Sequence, residues 1–174
     1  MTDYDITILT ERRYVNPENT DWYVENILKE DQMVQDTLAS YGYKVQRLNW
    51  DHDAFDWSAT RFALFRTTWD YFDRFPEFRT WLNRVKDQTS LINAGDIIEW
   101  NLDKHYLEDL NASGIAIPPT RFIEKGSGLN LREVYSASGW EEAILKPVVS
   151  GAARHTYRIN ADTIERYAPR LNRL

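Results

Sequence analysis

Cysteine is absent from the 174 residues. That excludes disulfides, thiolate metal sites and cysteine nucleophiles, and it fits a reducing compartment. Six prolines and seven glycines are too few for a collagen-like or linker-dominated chain. No apolar run reaches the ~18 residues that a membrane helix needs. The acidic start Met1-Thr2-Asp3-Tyr4-Asp5 has the features of neither a signal nor a transit peptide. A cytoplasmic protein without membrane partners is expected. Basic charge is also in short supply: 21 Lys and Arg stand against 27 Asp and Glu, for a net charge of −6, and the pI is about 5.1. That sign argues against a nucleic-acid partner while leaving room for a local cationic pocket.

Several motifs are missing too. Neither a Walker A sequence nor G-x-G-x-x-G occurs, so P-loop and Rossmann readings have no support. His52, His105 and His155 lie far apart without H-E-x-x-H spacing, and His105, beside Lys104, and His155, beside Arg154, read as surface or partly buried polar groups. Val149-Ser150-Gly151 lacks the G-x-S-x-G frame of a nucleophile elbow. Trp50 to Trp57 carries three aspartates, but not at EF-hand spacing, and reads as a turn with one buried tryptophan.

What is present is apolar and aromatic. Hydrophobic residues make up 43% and aromatics 14%, with seven Trp and ten Tyr, enough to bury a core. Ile6 to Thr10 is a β-branched run that predicts a strand. Tyr23, Ile27, Val34, Leu38 and Tyr41 share a helix face, and Gly42 stands at its end. Lys44 to Leu48 alternates as a second strand, Phe62 to Arg66 reads as a third, and Leu91 to Asn93 as a short fourth. Phe75, Phe78, Leu82 and Val85 mark a helix between the last two. Strands alternating with helices predict an α/β domain built on an open, mostly parallel sheet.

Beyond residue 95 the character changes. Asp96 to Leu110 predicts one helix, and Ile115 to Ile123, with its Pro118-Pro119 pair, an extended stretch. Gly126 to Gly128 reads as a turn and Leu129 to Ala137 as a short helix. Ala143 to Pro147 and Arg154 to Ile159 bracket a small-residue loop as a hairpin, and Ile164, Tyr167 and Leu171 fall at helical spacing. Two domains are expected, 1–95 and a smaller, incomplete α+β unit over 96–174.

Two lysines stand out by context. Lys104 falls inside the predicted helix 96–110, and Lys146 ends a strand just before the small-residue loop of Ser150, Gly151, Ala152 and Ala153. An ammonium beside backbone N–H groups that small side chains leave open is a phosphate site; a solvated charge is the other reading. Arg66, Thr67, Thr68, Trp69 and Asp70 follow a strand, at the end where open sheets bind ligands. Arg66 there suits a carboxylate; the alternative is a helix start capped by Asp70, with Trp69 in the core.

Asn93, Asp103-Lys104, Gly114-Ile115-Ala116-Ile117-Pro118-Pro119-Thr120 and Ile144-Leu145-Lys146-Pro147, in that order, resemble the front half of the ATP-grasp superfamily. Within it, Arg66 to Tyr71 and Lys146 to Thr156 are most similar to glutathione-synthetase-like and cycloserine-ring-forming ligases. The resemblance implies a pre-ATP-grasp domain followed by a partial grasp lid, with a lysine-bearing helix and a lid hairpin. It implies that Lys104 and Lys146, 42 positions apart, hold ATP phosphates under a flap formed by Ser150 to Ala153. Arg66 to Asp70 would line the substrate side. The implied chemistry is ATP-driven activation of a small carboxylate to an acyl phosphate, then attack by an amine or related nucleophile. Magnesium ligands are expected from a C-terminal region that follows such a portion, so this chain alone is expected not to complete ligation, and no catalytic residue or metal ligand is assigned within it. The alternative is a non-catalytic module that binds a small anion or a protein partner. Exposed strand edges leave homo-oligomerisation open.

Overall fold

The computed structural model describes residues 2–173. They form two compact units, Met1–Glu99 and Trp100–Leu174. The break falls inside a helix, Gly95–Asn101, rather than before it at the expected 95/96 boundary.

The first unit holds a four-stranded parallel sheet in the order β2-β1-β3-β4, with β1 Tyr4–Thr10, β2 Val45–Asn49, β3 Thr60–Thr67 and β4 Ser90–Ile92. Ile8 of β1 stands opposite Arg47 of β2 and Leu64 of β3. Strand β1 is buried on both faces, with Thr7, Ile8, Leu9 and Thr10 all at 0% exposure, as a central parallel strand covered by helices requires. Helix α1, Trp22–Ser40, starts at Asp21, whose carboxylate accepts the Val24 N–H at 2.9 Å. It ends at Gly42, whose φ of +88° suits glycine.

Helix α2, Phe75–Val85, covers the sheet with Phe78, Trp81, Leu82 and Val85. Its aromatics interlock edge to face with the loop before β3. Trp50 lies 5.2 Å from Phe78 and 5.6 Å from Trp81, and Trp57 lies 5.4 Å from Trp81. The segment Trp50 to Trp57 thus buries both of its tryptophans instead of the single one expected.

The α1 stripe differs from its sequence expectation. Ile27 is buried and Val34 and Leu38 are half-buried, but Tyr23 and Tyr41 are exposed. The middle of the buried face belongs to Asp31, at 1% exposure, which takes Arg47 Nε at 2.7 Å and Arg66 Nε at 3.1 Å. Arg47 also donates to the Tyr14 carbonyl and to Thr10 Oγ1. A buried carboxylate is tolerated because two guanidiniums surround it.

The second unit contains α3 Gly95–Asn101, which begins in the first, then α4 Tyr106–Ala112, α5 Leu131–Ser138 and α6 Ile164–Tyr167. Strands β5 Glu142–Leu145 and β6 Tyr157–Asn160 pair antiparallel. Its core is small: Leu131, Ile159 and Ile164, with Ile123, Tyr135, Leu145 and Tyr167 packed around them. Residues 115–124 form neither helix nor strand, because Pro118 and Pro119 offer no N–H to a ladder. No helix among the described residues is long and apolar enough to cross a membrane.

Asp31→Ala strands the guanidinium of Arg47, only 12% exposed, without its carboxylate. Destabilisation of about 3 kcal/mol is expected from breaking a buried pair in which Arg66 is still partly solvated. Urea denaturation followed by tryptophan fluorescence measures it.

Candidate functional site

In the second unit, Lys104 does not lie within a helix. The predicted helix over 96–110 is broken between α3 and α4 by a turn at residues 102–105. Two competing hydrogen bonds explain the break. The Lys104 N–H donates to the Val148 carbonyl at 3.1 Å instead of to the preceding helical turn. The Asp103 carboxylate accepts the His105 N–H at 2.9 Å, a local bond of the kind that unseats helices. The Lys104 ammonium then donates to the Val148 and Ser150 carbonyls at 3.0 and 3.1 Å. Lys104 is therefore fastened to the loop that follows β5.

That loop carries Lys146 at its start and is braced internally. Arg154 N–H donates to the Gly151 carbonyl at 2.9 Å, Thr156 N–H to Ala153 at 3.1 Å, and Ser150 Oγ to the Arg154 carbonyl at 3.1 Å. Ala152, Ala153 and His155 adopt positive φ of 49°, 57° and 52°. Non-glycine residues hold that region at a cost of about 1 kcal/mol or more each. Where a glycine-rich flap would be free, this loop is bent and held.

Lys104 and Lys146 line one cleft of about 1450 Å³ in this unit. Its walls include Phe122, Ile123, Leu129, Ile144 and Val148, with Ile144 56% exposed. Burial lowers the pKa of Lys104, and the positive charge on nearby Lys146 lowers it further, against the pull of Asp103. Two cations over apolar walls give a site for an anion with an apolar portion. Of the expected flap residues, Ser150 and Gly151 are half-buried, and Ala152 and Ala153 are exposed.

In the first unit, Arg66 ends on α1: Nε meets Asp31, and Nη2 meets the exposed Glu30 at 3.4 Å. Thr67 Oγ1 bonds Thr10 Oγ1 at 2.5 Å, and Thr68 is buried. Trp69 sits among Tyr14 and Tyr23, with ring centroids at 6.1 and 6.5 Å. Asp70 does not cap α2. It accepts from Trp50 Nε1 at 2.7 Å and from Arg74 Nη1 at 3.0 Å.

Sequence reasoning overlooked a polar group around these strand ends. Asp51 accepts from Asn49 at 2.7 Å and from Arg74 at 2.8 Å. Burial pushes its pKa up, but these bonds outweigh burial and hold it below the usual carboxylate range. Glu11 is 3% exposed and pairs with Arg13, leaving its Oε2 without a partner among the described residues. Only their places after strands could have marked them. In the second unit, Asp103 and His105 adjoin Lys104 in the sequence and were the available signal there.

The N-terminal domain family of the D-cycloserine synthetase DcsG matches residues 6–93, half of the chain. The chain belongs to this family. The cycloserine biosynthesis protein DcsG of Streptomyces lavendulae is 35% identical over 86 residues, which are 49% of this chain and 29% of that protein. The crystal structure of D-cycloserine synthetase DcsG matches with a TM-score of 0.80 at 24% identity, over 97% of this chain and 55% of that one. The chain thus spans about half or less of the length of these DcsG relatives. The family match lies in the first unit, whereas the structural likeness extends across both.

Lys104→Met removes the ammonium from two loop carbonyls. A hydrogen bond from a charged donor contributes about 1.5–3 kcal/mol. Amide hydrogen exchange over residues 148–156 is expected to quicken by about tenfold or more, read by mass spectrometry on the intact chain.

Proposed function

We propose that this chain is the nucleotide-binding front portion of an ATP-grasp ligase, and that its second unit holds the phosphates of ATP. The observation that carries the reading is the meeting of Lys104 and Lys146 on one cleft from distant points of the chain. The order of motifs resembling the superfamily supports it, as does membership of the DcsG family. The relatives' printed names, a cycloserine biosynthesis protein and a D-cycloserine synthetase, support a ligase-related biosynthetic role.

When bound, ATP would supply the phosphoryl group that activates a carboxylate for attack by an amine or similar nucleophile. The chain's own part is binding and exclusion of water. The ammonium of Lys146 meets phosphate oxygens directly, while Lys104 retains the Val148 and Ser150 carbonyls and turns its remaining hydrogen to the anion. The loop from Ser150 to Ala153, which does not itself line the cleft, would fold over the phosphates, and the apolar wall at Phe122 and Ile144 would take the base. In the first unit, a substrate carboxylate would displace exposed Glu30 from Arg66 Nη2 while Asp31 keeps Nε.

Magnesium fits less well. Among the described residues no group of three or more acidic or histidine side chains is placed to hold a metal ion.

Calorimetric titration of the chain with ATP is expected to show binding. Lys146→Ala and Lys104→Ala should each weaken it by about tenfold or more, the scale of one charged hydrogen bond. Unchanged affinity in both variants would overturn the assignment.

A further inference from the structure

His105 sits between two carboxylates. Its Nδ1 lies 2.6 Å from Asp103 Oδ1, and its Nε2 lies 3.1 Å from Glu124 Oε1. The ring stacks on Phe122 at 4.1 Å between centroids, with the planes 23° apart. Ionised carboxylates only accept hydrogen bonds, and a neutral imidazole has a single N–H to give. Both contacts exist together only when the ring carries two protons. Asp103 and Lys104 belong to the turn after α3, whereas Phe122 and Glu124 belong to the irregular segment 115–124. The ring therefore joins the piece of backbone that carries Lys104 to a second segment that lines the same cleft.

We propose that the doubly protonated His105 is a clasp that holds the Lys104 turn against segment 115–124, so that the cleft is assembled at lower pH and loosens as the ring loses a proton. Its use in nucleotide binding rests on the reading of the cleft as a phosphate site; the clasp itself does not. His105 is a positioning residue in this scheme, since it acts through Lys104 and Phe122.

The charged groups that act on the ring are Asp103 on its own turn and Glu124 on the segment packed against it, and Lys104 acts in turn on Asp103. The loop after β5 meets the turn through the Val148 and Ser150 carbonyls, which bond Lys104 and carry no net charge. The bond to Asp103 raises the ring's pKa above its ordinary 6.5; partial burial opposes the rise, and Glu124 adds to it. The sign follows. The clasp's contribution is complete below the ordinary value and is lost as pH rises through the raised one. Solvent reaches Glu124 freely, so the Asp103 contact dominates and salt weakens the Glu124 arm first.

The test is a proton–nitrogen NMR titration of the His105 imidazole in the full ligand-free chain, with amide exchange of residues 115–124 followed over the same pH range. The expected midpoint lies above 6.5, protection of the segment falls with the same midpoint, and Glu124→Gln moves both downward together. A midpoint at or below the ordinary value, or protection indifferent to the titration, would overturn the clasp. ATP titrated across the same range should lose about fivefold or more of its affinity through that midpoint. The loss should shift with Glu124→Gln and vanish in His105→Gln, which separates it from protonation of the nucleotide itself. Retained protection behaviour with no ATP binding at any pH would uphold the clasp and reject only the phosphate reading. ATP binding that keeps its full pH dependence in His105→Gln would refute the coupling.

Discussion

Lys104 gives its backbone N–H and two ammonium hydrogens to carbonyls of the loop that follows β5, and the second unit is organised around that grip. Diverting the N–H stops α3 from running on into α4. The resulting turn brings Asp103 and His105 forward and sets the ammonium close enough to Lys146 for their charges to oppose each other. Repulsion between the half-buried Lys104 ammonium and the exposed Lys146 ammonium is unfavourable by itself. On the proposed reading, their meeting arranges the electrostatics for an anion before one arrives.

The first unit solves a similar problem with the opposite sign. Asp31 occupies the buried face of α1, where an apolar side chain would be the simpler choice, and holds Arg47 and Arg66 at the sheet. Burying a carboxylate between two guanidiniums costs desolvation, which the paired hydrogen bonds offset. One consequence is positional: Arg66, at the end of β3, keeps a fixed Nε and a more accessible Nη2. A rigid parallel sheet with charged groups ordered at its carboxyl end is the arrangement on which open α/β folds place ligands.

Much of this architecture could be read from residue order. The β1–α1–β2 opening, β3, α2 and the β5–β6 hairpin follow from periodicity, because apolar residues at spacing two or near 3.6 must share a face to be buried. The same rule overextended the helix at 96–110, since nothing local reveals that the Lys104 N–H bonds a carbonyl 44 residues on. It also put Tyr23 and Tyr41 on one face with Ile27, Val34 and Leu38, whereas both tyrosines are exposed and the middle of the buried stripe belongs to Asp31. Lysines at a strand end and beside an aspartate were visible as candidates. The partner of His105 on segment 115–124 was not, because sequence distance hides it. Three left-handed residues in a loop with one glycine were equally invisible, as alanine and histidine give no hint of positive φ.

The proposed nucleotide site depends on two ammonium groups that serve one anion. The most direct measurement is the nitrogen-15 resonance of each lysine side chain during titration of the intact chain with ATP. A shared site predicts that Lys104 Nζ and Lys146 Nζ both shift and follow one saturation curve. A nucleotide that moves only one of them, or moves them with separate midpoints, would contradict it.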